Sequence, residues 1–464
     1  MKQNLQFEDE EDIDTPEEET MDYMFAESLN SSIAIETDPI EYYQINNRVC
    51  LGTREPMLYY HYRGTQPKEE DWVWFPVSDK EAFNILLISK QGRHKTTIIK
   101  NFISYLQPRG YRITYFEGKS ASTPQDKNGL PKYGRSDALW CQVQGSGTWL
   151  HYKEKPLKIP VYGILPSFVA SEKNEEDSVI DDNVIKEYEE VATLSAEQIK
   201  TALEWQRVLK SDGVAAGNFM IVNLKKFKTI KNLIKALQRQ AFATGENSLH
   251  PAVAQLLRNR LETLDHIQVF ETLDESTELN IGKIWDKYKN LDTDDEQKKN
   301  PLIAVSFHQH TDDSIASYYV EKVLLQQQNY CRKIVEPKLN IYDDCSTYLG
   351  WTDNKQGWKK VQQSIELGRS NLFSNIIASQ NPLNLGKSLM EACTDKLIGP
   401  LDDFSNLSIL SAEMRARLKS RLRIIKRTSK DGKVVKCCPY AWIPDNPDET
   451  IIFYAKGSPC GNSW

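Results

Sequence analysis

Short, unbroken apolar runs alternate along this chain with stretches whose apolar residues recur every three or four positions. The run Asn84 to Ser89 (NILLIS) predicts a buried strand, followed by a loop and an amphipathic helix over 97–106. The turn QPRG and a strand from Tyr111 to Gly118 complete a β-loop-α-β unit with the connection lengths of a parallel sheet. Upstream, YYQINN, LYYHYRG and DWVWFPV, all within residues 37–75, predict short strands.

From about Asp181 to Leu264 the period becomes helical. LSAEQIKTALEWQRVL offers Ser195 as N-cap with Gln198 three residues on, and TIKNLIKALQRQAF and HPAVAQLLRNRLETL continue the pattern. The α/β alternation then resumes. Strands are predicted in PLIAVSFH, PKLNIYDD, SNIIASQNP and DKLIGP, and helices in TDDSIASYYVEKVLLQQQNYCRK, WKKVQQSIELGR and SLMEACTDK. This rhythm predicts an α/β fold with a parallel, doubly wound sheet and a helical lobe inserted at 181–265. It divides the chain into a tail (1–36), a β-rich segment (37–75), a first core segment (76–180), the lobe, and a second core segment (266–464).

Composition changes this picture at one end only. The chain of 464 residues is 40% apolar and 27% charged, as in soluble globular proteins. Residues 1–36 hold twelve Asp/Glu and one Lys, a charge of −11 against −7 for the whole chain, so the remainder carries +4. EDEEDIDTPEEE (Glu8 to Glu19) cannot build a core and reads as a disordered tail, either a solubilising segment or a DNA mimic competing for a basic surface. No apolar run reaches the ~18–20 residues of a membrane span. With no signal peptide pattern and no C-x-x-C pair among the cysteines, a cytoplasmic protein without direct membrane insertion is expected.

Candidate chemistry gathers where the predicted strands end. In SKQGRHKTT the loop meets a helix N-terminus, an arrangement that offers backbone N–H groups and a dipole to phosphate. Lys95 would reach the β/γ-phosphates and Thr96 would take a place on Mg²⁺. Against G-x-x-x-x-G-K-[ST], Ser89 and His94 stand at the two glycine positions, and Gly92 alone supplies a permissive backbone. Asp343 and Asp344 end an apolar strand, where they would serve metal and water, or cap a helix or turn. Gln380 ends another strand and would sense a γ-phosphate or simply open a loop. Arg369 in IELGRSN reads as an arginine finger or a helix C-cap. His308 and His310 share a strand face without acidic or cysteine partners nearby, which favours ordinary surface or core histidines.

Taken in order, SKQGRHKTT, YDD, ELGRS and IIASQNPLNL resemble the HerA/FtsK group of P-loop ATPases, the HerA branch most. That group's phosphate loop usually reads G-x-T-G-S-G-K-[ST], its second motif hydrophobics-D-E-A-H, and its third A-[ST]-Q-x-P. Ser89, Gly92, His94, Lys95 and Thr96 fall on the first, with Arg93 and Thr97 in the same cradle. Asp343 and Asp344 fall on the second, Ser379, Gln380 and Pro382 on the third, and Gly368 and Arg369 on the group's R-E-G-R segment. The resemblance spans roughly residues 80–430.

The resemblance implies a RecA-like P-loop sheet, the cofactors ATP and Mg²⁺, and a homohexamer translocating double-stranded DNA in packaging, conjugation or DNA processing. A nuclease, portal or secretion channel would be its partner. Thr96 and Asp343 would hold Mg²⁺, Asp344 would activate water, Gln380 would sense the γ-phosphate, and Arg369 would act on the next subunit. Ser89, His94 and Asp344 depart from the pattern, which leaves open a catalytically impaired ring component that docks DNA or a partner motor. Two basic runs suit DNA or a solvated helix face: Lys225, Lys226, Lys228, Lys231, Lys235 and Arg239, then Arg415, Arg417, Lys419, Arg421, Arg423, Lys426 and Arg427. The second is also compatible with a contact between subunits.

Overall fold

The computed structural model describes residues 47–56, 59–60, 63, 65, 67–90, 93–117, 161–164, 201–209, 214–227, 230–239, 249–266, 280–294, 298–306, 313–331, 334–349, 356–428 and 434–455. The chain opens with β1 (Arg48–Thr53), β2 (Trp72–Pro76), β3 (Asn84–Ile88), α1 (Lys95–Leu106), β4 (Arg112–Glu117) and β5 (Val161–Ile164). Five helices follow: α2 (Ala202–Leu209), α3 (Val214–Phe227), α4 (Ile230–Gln238), α5 (Pro251–His266) and α6 (Ile281–Lys289). Next come β6 (Leu302–Ser306), α7 (Asp313–Cys331), β7 (Lys338–Asp343), α8 (Gln356–Leu367), β8 (Phe373–Ser379), α9 (Lys387–Ala392), β9 (Asp395–Ile398) and α10 (Ala412–Arg421). The described chain closes with β10 (Ile425–Thr428), β11 (Val434–Cys437), β12 (Pro439–Ile443) and β13 (Ile451–Ala455).

One eleven-stranded sheet organises the molecule, in the order β2-β1-β13-β12-β9-β3-β8-β7-β4-β6-β5. From β9 to β5 every neighbouring pair is parallel. From β9 to β2 every pair is antiparallel. The sheet is therefore mixed: the expected parallel sheet is present, and β12–β13 with β1–β2 extend it by hairpins that need no helical crossover.

The unbroken apolar run of β3 is explained by cover on both faces. Ile85 and Leu87 enter one core cluster with Ile98, Ile99 and Phe102 of α1, while Leu86 and Ile88 enter the other. That second cluster contains Trp205, Phe219, Met220, Leu233 and Leu261 of the helical lobe, and it continues into Tyr318, Tyr319 and Val320 of α7. The lobe is thus packed onto the sheet face opposite α1. Helix α4 shows how its sequence sorts: Ile230, Leu233, Ile234 and Leu237 are buried, and Lys231, Lys235 and Arg239 face outward.

Several local expectations need correction. LYYHYRG is not a strand where it is described, because Tyr59 and Tyr60 are helical and Arg63 N–H donates to Tyr59 O (3.1 Å), an i→i−4 turn. Helix α1 starts at Lys95, two residues early, and α9 stops at Ala392 because Asp395 and Lys396 belong to β9. Ser195 and Gln198 lie outside the described residues. The described α2 is instead preceded by a reciprocal cap, in which Thr201 N–H donates to Glu204 Oε2 (2.9 Å) and Glu204 N–H to Thr201 Oγ1 (3.2 Å). Helices α3 and α6 complete the set. In α6, Ile281, Ile284 and Trp285 form a buried stripe behind the N-cap Asn280, a periodic signal present in the sequence but not among its expected helices.

A charged cluster pins the sheet edge remote from the ends of β3 and β7. Glu336 accepts from Arg112 (3.1 Å) and Lys289 (2.9 Å). Burial would raise its carboxyl, but these two hydrogen-bonded cations outweigh burial and hold it below the usual 4.5. A lowered folded value stabilises the fold above the unfolded value and is lost as pH falls through the folded one. Wild type is therefore expected to lose stability as pH falls below about 4.5 more steeply than Glu336→Gln, in thermal melts across that range.

Candidate active site

Strands β3, β8 and β7 are parallel neighbours, so their carboxyl ends share one sheet edge. The chain leaving β3 is fastened on both sides: Ser89 N–H donates to Ser379 O (3.2 Å) and Lys90 N–H to Pro400 O (3.3 Å). Gln91 and Gly92 lie outside the described residues, and the chain re-enters at Arg93.

His94 is exposed and has φ of 64°, and α1 begins at the next residue. A left-handed L-residue brings Cβ toward the following carbonyl, at roughly 1–2 kcal/mol. The two missing glycines therefore differ in consequence. His94 holds the backbone state that glycine would adopt without strain, whereas Ser89 is not among the positive-φ residues and is fully buried. His94→Gly is expected to stabilise the fold by about 1 kcal/mol, and His94→Ala, which keeps Cβ, is not. Thermal midpoints of the two variants check this.

Lys95, the first residue of α1, is turned inward. Its Nζ donates to Ser89 O (2.9 Å) and lies 3.7 Å from Asp344 Oδ1, with the two side chains 6% and 5% exposed. At that burial the pair is weakly screened. Thr96 and Thr97 follow, both half-buried in the first turn.

Asp343 closes β7. Leu339 and Ile341 join the α1-side cluster, and alternation puts Asp343 on that side too. Its Oδ2 accepts from Tyr115 (2.7 Å) and its Oδ1 accepts the Asp344 N–H (3.0 Å). Asp344 then leaves the strand with φ of 46°, a state aspartate tolerates better than most residues. Gln380, one residue past β8, donates from Nε2 to Asp344 Oδ1 (2.9 Å). Lys95, Asp344 and Gln380, from three separate segments, thus meet at one carboxylate. Next to it, burial pushes the Cys345 thiol well above its ordinary range, and the Asp344 and Asp343 carboxylates push it further, so it stays neutral.

The remaining sequence candidates scatter. Arg369 opens the turn Arg369–Asn371 at the amino end of β8, while Gln380 follows its carboxyl end. Seven strand residues at about 3.3 Å each separate their backbones by ~20 Å, too far for Arg369 to join its own chain's group. The preceding Gly368 is required by space: a Cβ there would lie 2.1 Å from Ser364 O. His308 and His310 lie outside the described residues, as do Lys228 and the acidic run. In the second basic run Leu418 of α10 and Leu422 just beyond it are buried, and Arg417, Lys419, Arg421, Arg423 and Lys426 are exposed.

Sequence reasoning missed three tyrosines. Tyr115 supports Asp343, Tyr348 donates to Phe116 O (3.1 Å) beneath the same edge, and the Tyr440 hydroxyl donates to Arg93 O. Only the alternation of YRITYFE hinted at an inward Tyr115; the partners lie hundreds of residues away.

VirB4 of Thermoanaerobacter pseudethanolicus superposes with a TM-score of 0.52, at 12% identity, over 89% of this chain and 97% of that one. This chain therefore shares its fold with VirB4, a large mixed sheet of RecA-like type covered by helices. Two further similarities are weaker. Plasmid coupling protein TrwB, in complex with the ATP analogue ADPNP, scores 0.42 at 11% identity over 90% and 98% of the chains. The genome packaging NTPase B204 of Sulfolobus turreted icosahedral virus 2 scores 0.33 at 7% over 81% and 98%. No family model and no curated protein matches the sequence. Among the described residues no helix is long and apolar enough to cross a membrane.

Proposed function

We propose that this RecA-like chain hydrolyses Mg-ATP and couples the reaction to translocation of double-stranded DNA, working as a homohexamer. One observation carries the reading: the first-turn lysine of the helix after β3, the carboxylate after β7 and the amide after β8 converge at a single buried point. Lys95 would leave Asp344 to meet the β/γ-phosphates, Asp344 would accept a proton from the attacking water, and Gln380 would hold that water or the γ-phosphate. The backbone of Arg93 to Thr97 and the α1 N-terminus would receive phosphate oxygens.

The residues present fit Mg²⁺. Thr96 offers a hydroxyl in the first turn. Asp343 offers a carboxylate whose oxygens accept from Tyr115 and the Asp344 N–H, and each oxygen carries a second lone pair. A bound Mg²⁺ would neutralise charge developing on the phosphates. The exposed Lys231 and Lys235 of α4 and the adjoining Arg239, with the cations of α10, supply surfaces suited to a phosphate backbone. The Arg369 position favours a role on a neighbouring subunit.

ATP turnover by purified protein, with and without duplex DNA, tests the reading. Turnover that rises with DNA and disappears in Lys95→Ala supports it; wild type no faster than Lys95→Ala overturns it. A second reading, a ring component that binds nucleotide without turning it over, draws support from the direct Lys95–Asp344 contact, in which two groups needed for turnover neutralise each other. Tight binding with no turnover would select that reading.

A further inference from the structure

The C-terminal hairpin reaches into the phosphate loop at one point. Strand β12 pairs with β9 so that Ala441 faces Ile398, which places Tyr440 beside Gly399. Gly399 in turn donates its N–H to Ile88 O (2.8 Å), at the end of β3. A Cβ on Gly399 would lie 2.5 Å from Ser89 Oγ and 2.7 Å from Tyr440 Cε1. The bare backbone at Gly399 is what lets the Tyr440 ring cross to the loop. That ring is fully buried and stacks on Phe453 of β13, with centroids 5.8 Å apart and planes 26° from parallel. At its tip, the hydroxyl donates to Arg93 O.

The bonded carbonyl belongs to the peptide that enters the left-handed His94. Among the described residues no peptide is cis, so the C=O of Arg93 and the N–H of His94 point in opposite directions. Fixing the carbonyl on Tyr440 therefore fixes the His94 N–H away from β12. Burial holds the Tyr440 hydroxyl protonated far above its ordinary range, so it remains a donor at every working pH. A glycine at position 94 would enter this conformation on its own. Histidine resists it, and the tether compensates.

Resting on the nucleotide-binding reading above, we propose that Tyr440 is a positioning residue for the phosphate loop: its hydroxyl holds the Arg93–His94 peptide in the orientation that receives a phosphate, taking over the part of the absent loop glycine. The tether makes one hydroxyl of β12 part of the nucleotide site, while the stacking of Phe453 on the ring serves the hairpin's own stability.

The test uses full-length protein, a fluorescent methylanthraniloyl-ADP with Mg²⁺, and thermal melts. Tyr440→Phe removes the hydroxyl and keeps the stacked ring. It is expected to weaken binding about five- to tenfold, the range for one lost hydrogen bond, with the melting temperature nearly unchanged. Phe453→Leu loosens the hairpin but leaves the hydroxyl, so it should lower the melting temperature and leave binding within about twofold of wild type. Adding His94→Gly to Tyr440→Phe should restore most of the lost affinity, which a merely structural tyrosine would not permit. Equal binding by wild type and Tyr440→Phe overturns this proposal alone, as does equal weakening by Phe453→Leu. Absence of binding by wild type overturns the nucleotide reading, and the tether's role falls with it.

Discussion

Lys95→Met is expected to abolish useful nucleotide binding, weakening Mg-ATP by about 2–5 kcal/mol, or roughly thirty- to several-thousandfold. The size follows from burial. Lys95 Nζ is enclosed, with Ser89 O and the Asp344 carboxylate among its partners, and an arriving triphosphate would replace Asp344 as its counter-charge. Methionine fills the volume without the cation, which separates loss of charge from loss of packing. The same change leaves Asp344 buried with the Gln380 amide but without its cation, so the free protein should also melt earlier. Isothermal titration with a non-hydrolysable ATP analogue, beside a thermal melt, reads both. Unchanged affinity would place the triphosphate elsewhere.

Asp344→Asn is expected to separate binding from turnover. Removing the group that would accept the water's proton should slow hydrolysis about 10²–10⁴-fold. Affinity should move the other way by a few-fold, because asparagine releases Lys95 and removes a negative charge from where the proposed γ-phosphate would sit. A lowered kcat with equal or tighter binding is the expected signature, read by single-turnover hydrolysis and equilibrium titration. If Asp344→Asn turns over at the wild-type rate, Asp344 is not the base. Asp343→Asn should differ, since Asp343 is held by Tyr115 and by the Asp344 N–H and, on the proposed reading, would serve Mg²⁺ rather than Lys95.

How far these residues were legible depends on the length of chain that fixes them. NILLI announced a strand buried on both faces because its apolar run is unbroken, and the structure divides those positions between two core clusters. Lys95, Asp344 and Gln380 were legible because each follows the end of such a strand, where side chains come free of the sheet. What joins them was not. Tyr115 and Asp343 are 228 residues apart, and Tyr440 and Arg93 are 347 apart; no local period encodes such pairs. The antiparallel half of the sheet was hidden for a related reason. Strand β12 reads as a short strand in any context, and only its register against β9 shows that the parallel sheet continues as hairpins. LYYHYRG misled because aromatic residues favour strands, whereas there the i→i−4 bond from Arg63 to Tyr59 decides the local conformation.

The strand order also sets a schedule for the growing chain. Strand β3 is made early, yet its neighbours β8 and β9 begin at Phe373 and Asp395, and β1 waits for β13, which ends at Ala455. During synthesis the segment that leads into α1 therefore trails a strand with both edges open for nearly three hundred residues. Pairing over such separations is slow and leaves edges exposed to other chains. A ribosome-bound fragment ending before Phe373 would hold Lys95 and Asp344 but lack Gln380 and the strand between them. The nascent chain should therefore gain its affinity for nucleotide late and in one step, after β8 and β9 have closed around β3.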